Sequence, residues 1–288
     1  MITYPTTIGD VSTRVFEAGA GDKTIVLVHG LGARADRWRH NIEPLASAGY
    51  HVYAFDLPGH GFASKGPDLR YTVPAFAETV EGFLDSVGVQ RSTLIGTSLG
   101  GHTVGWFAAE NPERVSALVM VGTTGLVALG AERRAQTRSR VTVTDPEGVA
   151  TKLTRVVFDQ SLVNDEWIQE ESRINSSPGA SEGFHALGQY FGEHLDDDIV
   201  TERLAKHLAA DAFPLLLVWG ARDIGFPVEM GRAAHEQLAG SSLVVLDDAA
   251  HAPYFERPEA FNRVVLDFLA GDLGDYKAAG VSYSLPQR

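Results

Sequence analysis

Two rhythms of apolar residues run along this chain. Thr24–Val28 and Tyr50–Phe55 are short unbroken runs, rich in β-branched and aromatic residues. Each ends in a glycine-bearing loop, His29-Gly30-Leu31-Gly32 or Asp56-Leu57-Pro58-Gly59-His60-Gly61. Runs without alternation predict strands buried on both faces, and Pro with Gly at that spacing predicts a tight turn. The second rhythm is helical. Phe76, Ala77, Val80, Phe83, Leu84 and Val87 share one face of a helix, with Thr72 as N-cap, Pro74 in the first turn and Gly88 as the stop. Strand Ser92–Gly96, helix Leu99–Asn111 and strand Val115–Val121 continue the alternation, while Val11–Glu17 reads as a more exposed strand near one edge.

Residues 125–210 break that rhythm. They carry helical patterns with scattered aromatics, among them Phe158, Trp167, Phe184, Tyr190 and Phe191, and no comparable strand. The alternation then resumes: Phe213–Trp219 is a strand, Glu229–Leu238 a helix, Leu243–Leu246 a strand and Pro258–Leu269 a helix. The pattern predicts one α/β core, residues 1–124 and 211–270, with a mostly parallel central sheet flanked by helices. A helical cap, residues 125–210, is inserted into it, and residues 271–288 are expected to be a loose tail.

Composition narrows the function classes. The 288 residues contain 24 Lys and Arg against 37 Asp and Glu, a formal net charge of −13. That acidity argues against a nucleic-acid partner, which needs a basic footprint. The absence of cysteine excludes disulfides, thiolate metal sites and a cysteine nucleophile. The histidines show no zinc-like spacing, so no metal site is expected. The start of the chain lacks the basic and apolar regions of a secretory leader, and no run approaches the roughly 18 apolar residues of a membrane helix. The expectation is a cytoplasmic protein with a small-molecule substrate and no membrane partner; its oligomeric state is left open.

The chemistry centres on Gly96-Thr97-Ser98-Leu99-Gly100, which closes a strand and opens a helix. This is the setting of a nucleophile elbow: the serine sits on a sharp turn and flanking side chains would collide. The Leu99 N–H, at the start of the helix, is a candidate oxyanion donor, and Leu31 N–H in the His29-Gly30 loop is the second. A serine hydroxyl needs a base. His251 lies in the loop after the last predicted strand, and Asp223 in Trp219-Gly220-Ala221-Arg222-Asp223 follows the strand before it. The order Ser98, Asp223, His251 suits a triad whose carboxylate fixes the imidazole tautomer. The loop after Val115–Val121 holds no carboxylate, while Asp247 and Asp248 are competing acids. His29 is expected to hold its loop and His102 to point from its helix toward the core. Glu166, Glu170 and Glu171 read as a solvated helix face. Asp196-Asp197-Asp198 reads as charge favouring the N-terminus of the next helix. Arg133, Arg134, Arg138, Arg140, Arg155 and Arg173 are cap cations, any of which would favour an anionic substrate if it faced the pocket. No substrate-binding residue is singled out.

Taken together, these motifs, with Glu256-Arg257-Pro258 after His251, resemble the α/β-hydrolase superfamily, in its serine-nucleophile branch with a helical cap. The resemblance spans roughly residues 11–270. It implies a cofactor-free hydrolase forming an acyl-enzyme on Ser98, and a bracing role for Asp56. Serine at the elbow, in place of the aspartate of haloalkane dehalogenases and epoxide hydrolases, favours carbonyl chemistry. A small carboxylic ester or lactone is the first substrate reading. Carbon–carbon cleavage of a vinylogous diketone, as in meta-cleavage-product hydrolases, is the alternative. Two departures weigh against it: the loop here is Leu31-Gly32-Ala33-Arg34, and Ala252 follows His251 where that group carries tryptophan. An amide, acyl transfer, and a ligand-binding or receptor-like homologue complete the set.

Overall fold

A computed structural model describes residues 1–273 and the backbone of 281–284. Nine strands form one sheet among the described residues: β1 (Ile2–Ile8), β2 (Val11–Ala18), β3 (Lys23–Val28), β4 (Tyr50–Phe55), β5 (Ser92–Thr97), β6 (Val115–Val121), β7 (Leu215–Gly220), β8 (Ser242–Leu246) and β9 (Val281–Ser284). The spatial order is β1-β2-β4-β3-β5-β6-β7-β8-β9. From β4 to β8 every pairing is parallel, and the edge pairings β1–β2, β2–β4 and β8–β9 are antiparallel.

The helices are α1 (Ile42–Ser47), α2 (Val73–Ser86), α3 (Leu99–Glu110), α4 (Gly130–Val141), α5 (Pro146–Val156), α6 (Asp165–Asn175), α7 (Ala180–Glu193), α8 (Thr201–Ala209), α9 (Val228–Gln237), α10 (Pro253–Glu256) and α11 (Pro258–Ala270). Helix α2 starts where its capping chemistry predicts. Thr72 is extended and its Oγ1 accepts from Ala75 N at 3.3 Å. Its face of Phe76, Val80, Phe83 and Leu84 is fully buried, and each such side chain contributes about 1.5–3 kcal/mol.

Two apolar clusters flank the sheet. One joins α2, α3 and α8; the other joins α1, α10 and α11. The helices between β6 and β7 divide between them. Val141, Phe184 and Phe191 of α4 and α7 belong to the first cluster, whereas Val149, Leu153 and Trp167 of α5 and α6 belong to the second. The insertion thus straddles the sheet edge.

Register aligns that edge. Val28 sits opposite both Phe55 and Gly96, Thr97 opposite Val121, and Gly220 opposite Leu246. In a parallel sheet this brings every following loop to one side, where open α/β sheets bind ligands.

Two features correct the sequence reading. Residues 281–284, expected within a loose tail spanning 271–288, form strand β9 on the outer edge of β8. Strand β1 is the other, and its mostly exposed residues offer no buried run to mark it.

Candidate active site

Ser98 sits between β5 and α3 with φ 53° and ψ −118°. A non-glycine residue there stores about 1–3 kcal/mol of strain and persists only if its surroundings over-determine it. They do. Ser98 N–H donates to Val121 O at 2.9 Å, and Thr123 Oγ1 donates to Ser98 O at 3.1 Å. The flanking glycines are a steric requirement. A Cβ on Gly96 would lie 2.3 Å from Gly100 O, and one on Gly100 would lie 2.3 Å from His29 O. Backbone atoms at that range cannot give way.

The loops after β7 and β8 are stitched together. Ala221 N–H donates to Leu246 O and Arg222 N–H to Ala249 O, both at 2.9 Å. This sets Asp223 against His251. His251 Nδ1–H donates to Asp223 Oδ2 at 2.7 Å, while Asp223 Oδ1 accepts from Gly225 N and Phe226 N at 2.9 and 2.8 Å. The carboxylate is wholly buried, and Phe226 stacks on the imidazole with ring centroids 5.0 Å apart. Burial works against the charged imidazole, but the Asp223 charge and hydrogen bond outweigh it, so the His251 pKa is raised. The competing acids lie elsewhere: Asp247 and Asp248 are exposed, and Asp248 pairs with Arg257 at 3.3 Å.

One contributor to this geometry escaped the sequence reading. Glu256 Oε1 accepts from Ala250 N at 2.7 Å, and its Oε2 accepts from Phe158 N. Ala252 N–H also donates to Val156 O at 3.1 Å. The His251 loop is therefore tied to the end of α5.

The His29-Gly30-Leu31 loop lies directly on the elbow. A Cβ on Gly30 would be 3.1 Å from Ser98 Cβ. His29 is fully buried and holds this loop: Nδ1–H donates to Gly30 O at 2.8 Å and Nε2 accepts from Leu57 N at 2.9 Å. Burial lowers its pKa, which keeps that neutral tautomer. Leu31 lines the cavity over Ser98, and Leu99 is the first residue of α3. Asp56 braces the next turn through Arg14, Ala35 N and Phe62 N. His102 is buried in the core, where its Nε2 meets Asp198 O at 2.7 Å.

Above these groups is a cavity of about 200 Å³. Ser98, Leu31 and His251 form its floor; Val141, Leu153 and Phe184 from the inserted helices contribute apolar walls. Arg140 and Arg155 line it, unlike the other cap arginines singled out in the sequence.

Some acidic residues of the insertion differ from expectation. Glu171 is buried, and its Oε2 accepts from Arg34 Nη1 at 3.1 Å and Arg37 Nη2 at 2.5 Å. Glu170 pairs with Arg34 at 2.5 Å. Glu171 is therefore no part of a solvated face, whereas Glu166 and Glu170 are exposed as expected. Asp196 does not serve the next helix: it accepts from Leu129 N and Gly130 N at 2.9 and 3.0 Å and so caps α4. Among the described residues no three His, Asp or Glu side chains converge as a metal site requires, and no helix is long and apolar enough to cross a membrane.

Comparison with known proteins gives consistent matches. A family model described as the alpha/beta hydrolase fold matches residues 23–258. The 2-hydroxy-6-oxononadienedioate/2-hydroxy-6-oxononatrienedioate hydrolase of Escherichia coli K12 is 31% identical over 268 residues, covering 88% of this chain and 89% of that one. The dihydrolipoyllysine-residue acetyltransferase component of the acetoin cleaving system of Cupriavidus necator is 30% identical, covering 92% of this chain and 68% of its own. Among solved structures, a bacterial membrane phospholipase A superposes with a TM-score of 0.82 at 27% identity, covering 95% of this chain and 87% of that one.

Proposed function

The chain belongs to the α/β-hydrolase fold family, and from that premise we propose that it is a serine hydrolase acting through an acyl-enzyme on a small carboxylic ester or lactone. The observation that carries this reading is the 2.7 Å contact between His251 Nδ1 and the buried Asp223 carboxylate. It fixes the tautomer in which Nε2 is the free acceptor, on a side chain lining the same cavity as Ser98.

Ser98 Oγ attacks the substrate carbonyl carbon and His251 Nε2 takes its proton. Asp223 stabilises the imidazolium so formed. The Leu31 and Leu99 N–H groups stabilise the oxyanion. His251 then gives the proton to the leaving oxygen. A water, deprotonated by His251, hydrolyses the acyl-enzyme and returns Ser98 Oγ–H.

Carbon–carbon cleavage is the second reading, favoured by the 31% identity to the Escherichia coli hydrolase. The two are separated by steady-state turnover of p-nitrophenyl esters against a 2-hydroxy-6-oxo-dienoate. Treatment with a fluorophosphonate should give one covalent adduct by intact mass, lost in Ser98→Ala. That variant should keep its fold by circular dichroism and lose ~10⁴-fold or more in kcat. A folded wild type with no adduct and no turnover would move the chain to the ligand-binding reading. Product transfer to an added alcohol in place of hydrolysis would move it to acyl transfer.

A further inference from the structure

A second cavity, about 380 Å³, lies on the outer side of α4 and α5. Its wall and that of the catalytic cavity share three residues: Arg140, Lys152 and Arg155. All three are only partly exposed. Lys152 and Arg155 stand one helical turn apart on α5, and Arg140 faces them from the end of α4.

The outer cavity sets these three cations against two carboxylates, Asp145 and Glu147, and so keeps an excess of positive charge. Among the described residues none of the three makes an ion pair, although the chain carries a net charge of −13. Arg140 and Arg155 lie close enough for Arg155, after burial, to depress the Arg140 pKa. Lys152 donates to Val143 O, and burial lowers it to about 8 against the pull of Glu171 and Asp145. Both carboxylates are committed elsewhere. Glu171 is held by Arg34 and Arg37, and Asp145 caps α5 through Gly148 N at 3.0 Å. A position near a helix C-terminus favours a cation, but that does not account for three from two helices converging on one neck.

We propose that Arg140, Lys152 and Arg155 form the mouth through which substrate reaches Ser98 and that they hold a carboxylate on its far end. Two guanidiniums side by side suit a planar carboxylate, and the apolar walls beyond them suit the chain joining it to the reacting carbonyl. The substrate class is an acyl compound with an anionic tail. This rests on the serine-hydrolase reading above. A positive mouth on an acidic protein also draws anions inward selectively.

The test compares kcat/KM for p-nitrophenyl hemiglutarate with that for the neutral p-nitrophenyl valerate. Wild type should favour the hemiglutarate, less so as salt rises. Arg140→Met/Arg155→Met should lower the hemiglutarate-to-valerate ratio ~10–100-fold, as loss of charge-assisted hydrogen bonds implies. Arg173→Met, on the exposed face of α6, should leave that ratio as it is. The single variants Arg140→Gln and Arg155→Gln serve if the double variant melts. A ratio near one in wild type, or one that none of the folded mouth variants moves, overturns the proposal while Ser98-dependent valerate hydrolysis keeps the function reading intact. If Ser98 neither labels nor turns over any ester, calorimetric binding of monomethyl glutarate decides the mouth separately. Binding that weakens in the double variant upholds it, and no binding to wild type removes it.

Discussion

The floor of the site and its roof are built by different means. The floor is backbone: six parallel strands, β4-β3-β5-β6-β7-β8, brought level, an elbow whose glycines admit no Cβ, and loops laced by main-chain hydrogen bonds. The roof is side chains. Helices α4 to α7 rest on the sheet's two apolar flanks and are pinned by charged groups, Glu171 to Arg34 and Arg37, and Asp196 to the start of α4. A floor of this kind holds a few atoms within tenths of an ångström. A roof of this kind can change its lining without moving Ser98.

This contrast can be broken or sharpened by substitution. Asp223→Asn strikes the floor and should cost ~10³–10⁴-fold in kcat, since the amide supports the wrong tautomer. The pH profile gives the sign. His251 must be neutral to act, and its pKa is raised above 6.5. The acid limb of wild-type kcat/KM should therefore lie above 6.5, activity falling as His251 protonates. With Asp223 neutralised, the opposing burial remains and the limb should move down. A limb that stays put in Asp223→Asn would mean another carboxylate governs His251.

Glu171→Gln strikes the tie between roof and floor. It leaves Arg37 buried without its carboxylate and Arg34 with only Asp36 and Glu170. Loss of one partner from such a buried set costs about 3 kcal/mol. Urea unfolding should show a lower midpoint, and limited proteolysis should cut the inserted helices first. An unchanged midpoint would mean the roof does not depend on this tie. Asp196→Ala touches the roof alone. It removes the acceptor of two helix-start N–H groups and should cost about 1 kcal/mol, read from thermal melting, with fluorophosphonate labelling of Ser98 unaffected.

The same contrast explains what could be read from sequence. The elbow is five consecutive residues, and Asp223 and His251 lie just past recognisable buried strands, so local pattern is enough to mark them. Glu171 looked like a solvated charge because its partners stand 137 and 134 residues upstream. The sequence pairs Asp196 with the helix following it, because nothing local reveals an N-terminus 66 residues earlier. Glu256 gave no sign of its hold on Phe158 N, 98 residues away. Strand β1 is legible only as a partner of β2, its own residues being mostly exposed. What failed was pairing across long separations, which periodicity does not encode.

The insertion leaves the sheet at the end of β6 and rejoins it at β7, neighbouring strands that stay in register. Two adjoining attachment points make the segment between them replaceable in the course of descent. A lineage can lengthen, shorten or recharge residues 125–210 while Ser98, Asp223 and His251 inherit an unaltered scaffold. New substrates can then be reached through changes in the roof alone, without the chain losing its chemistry on the way.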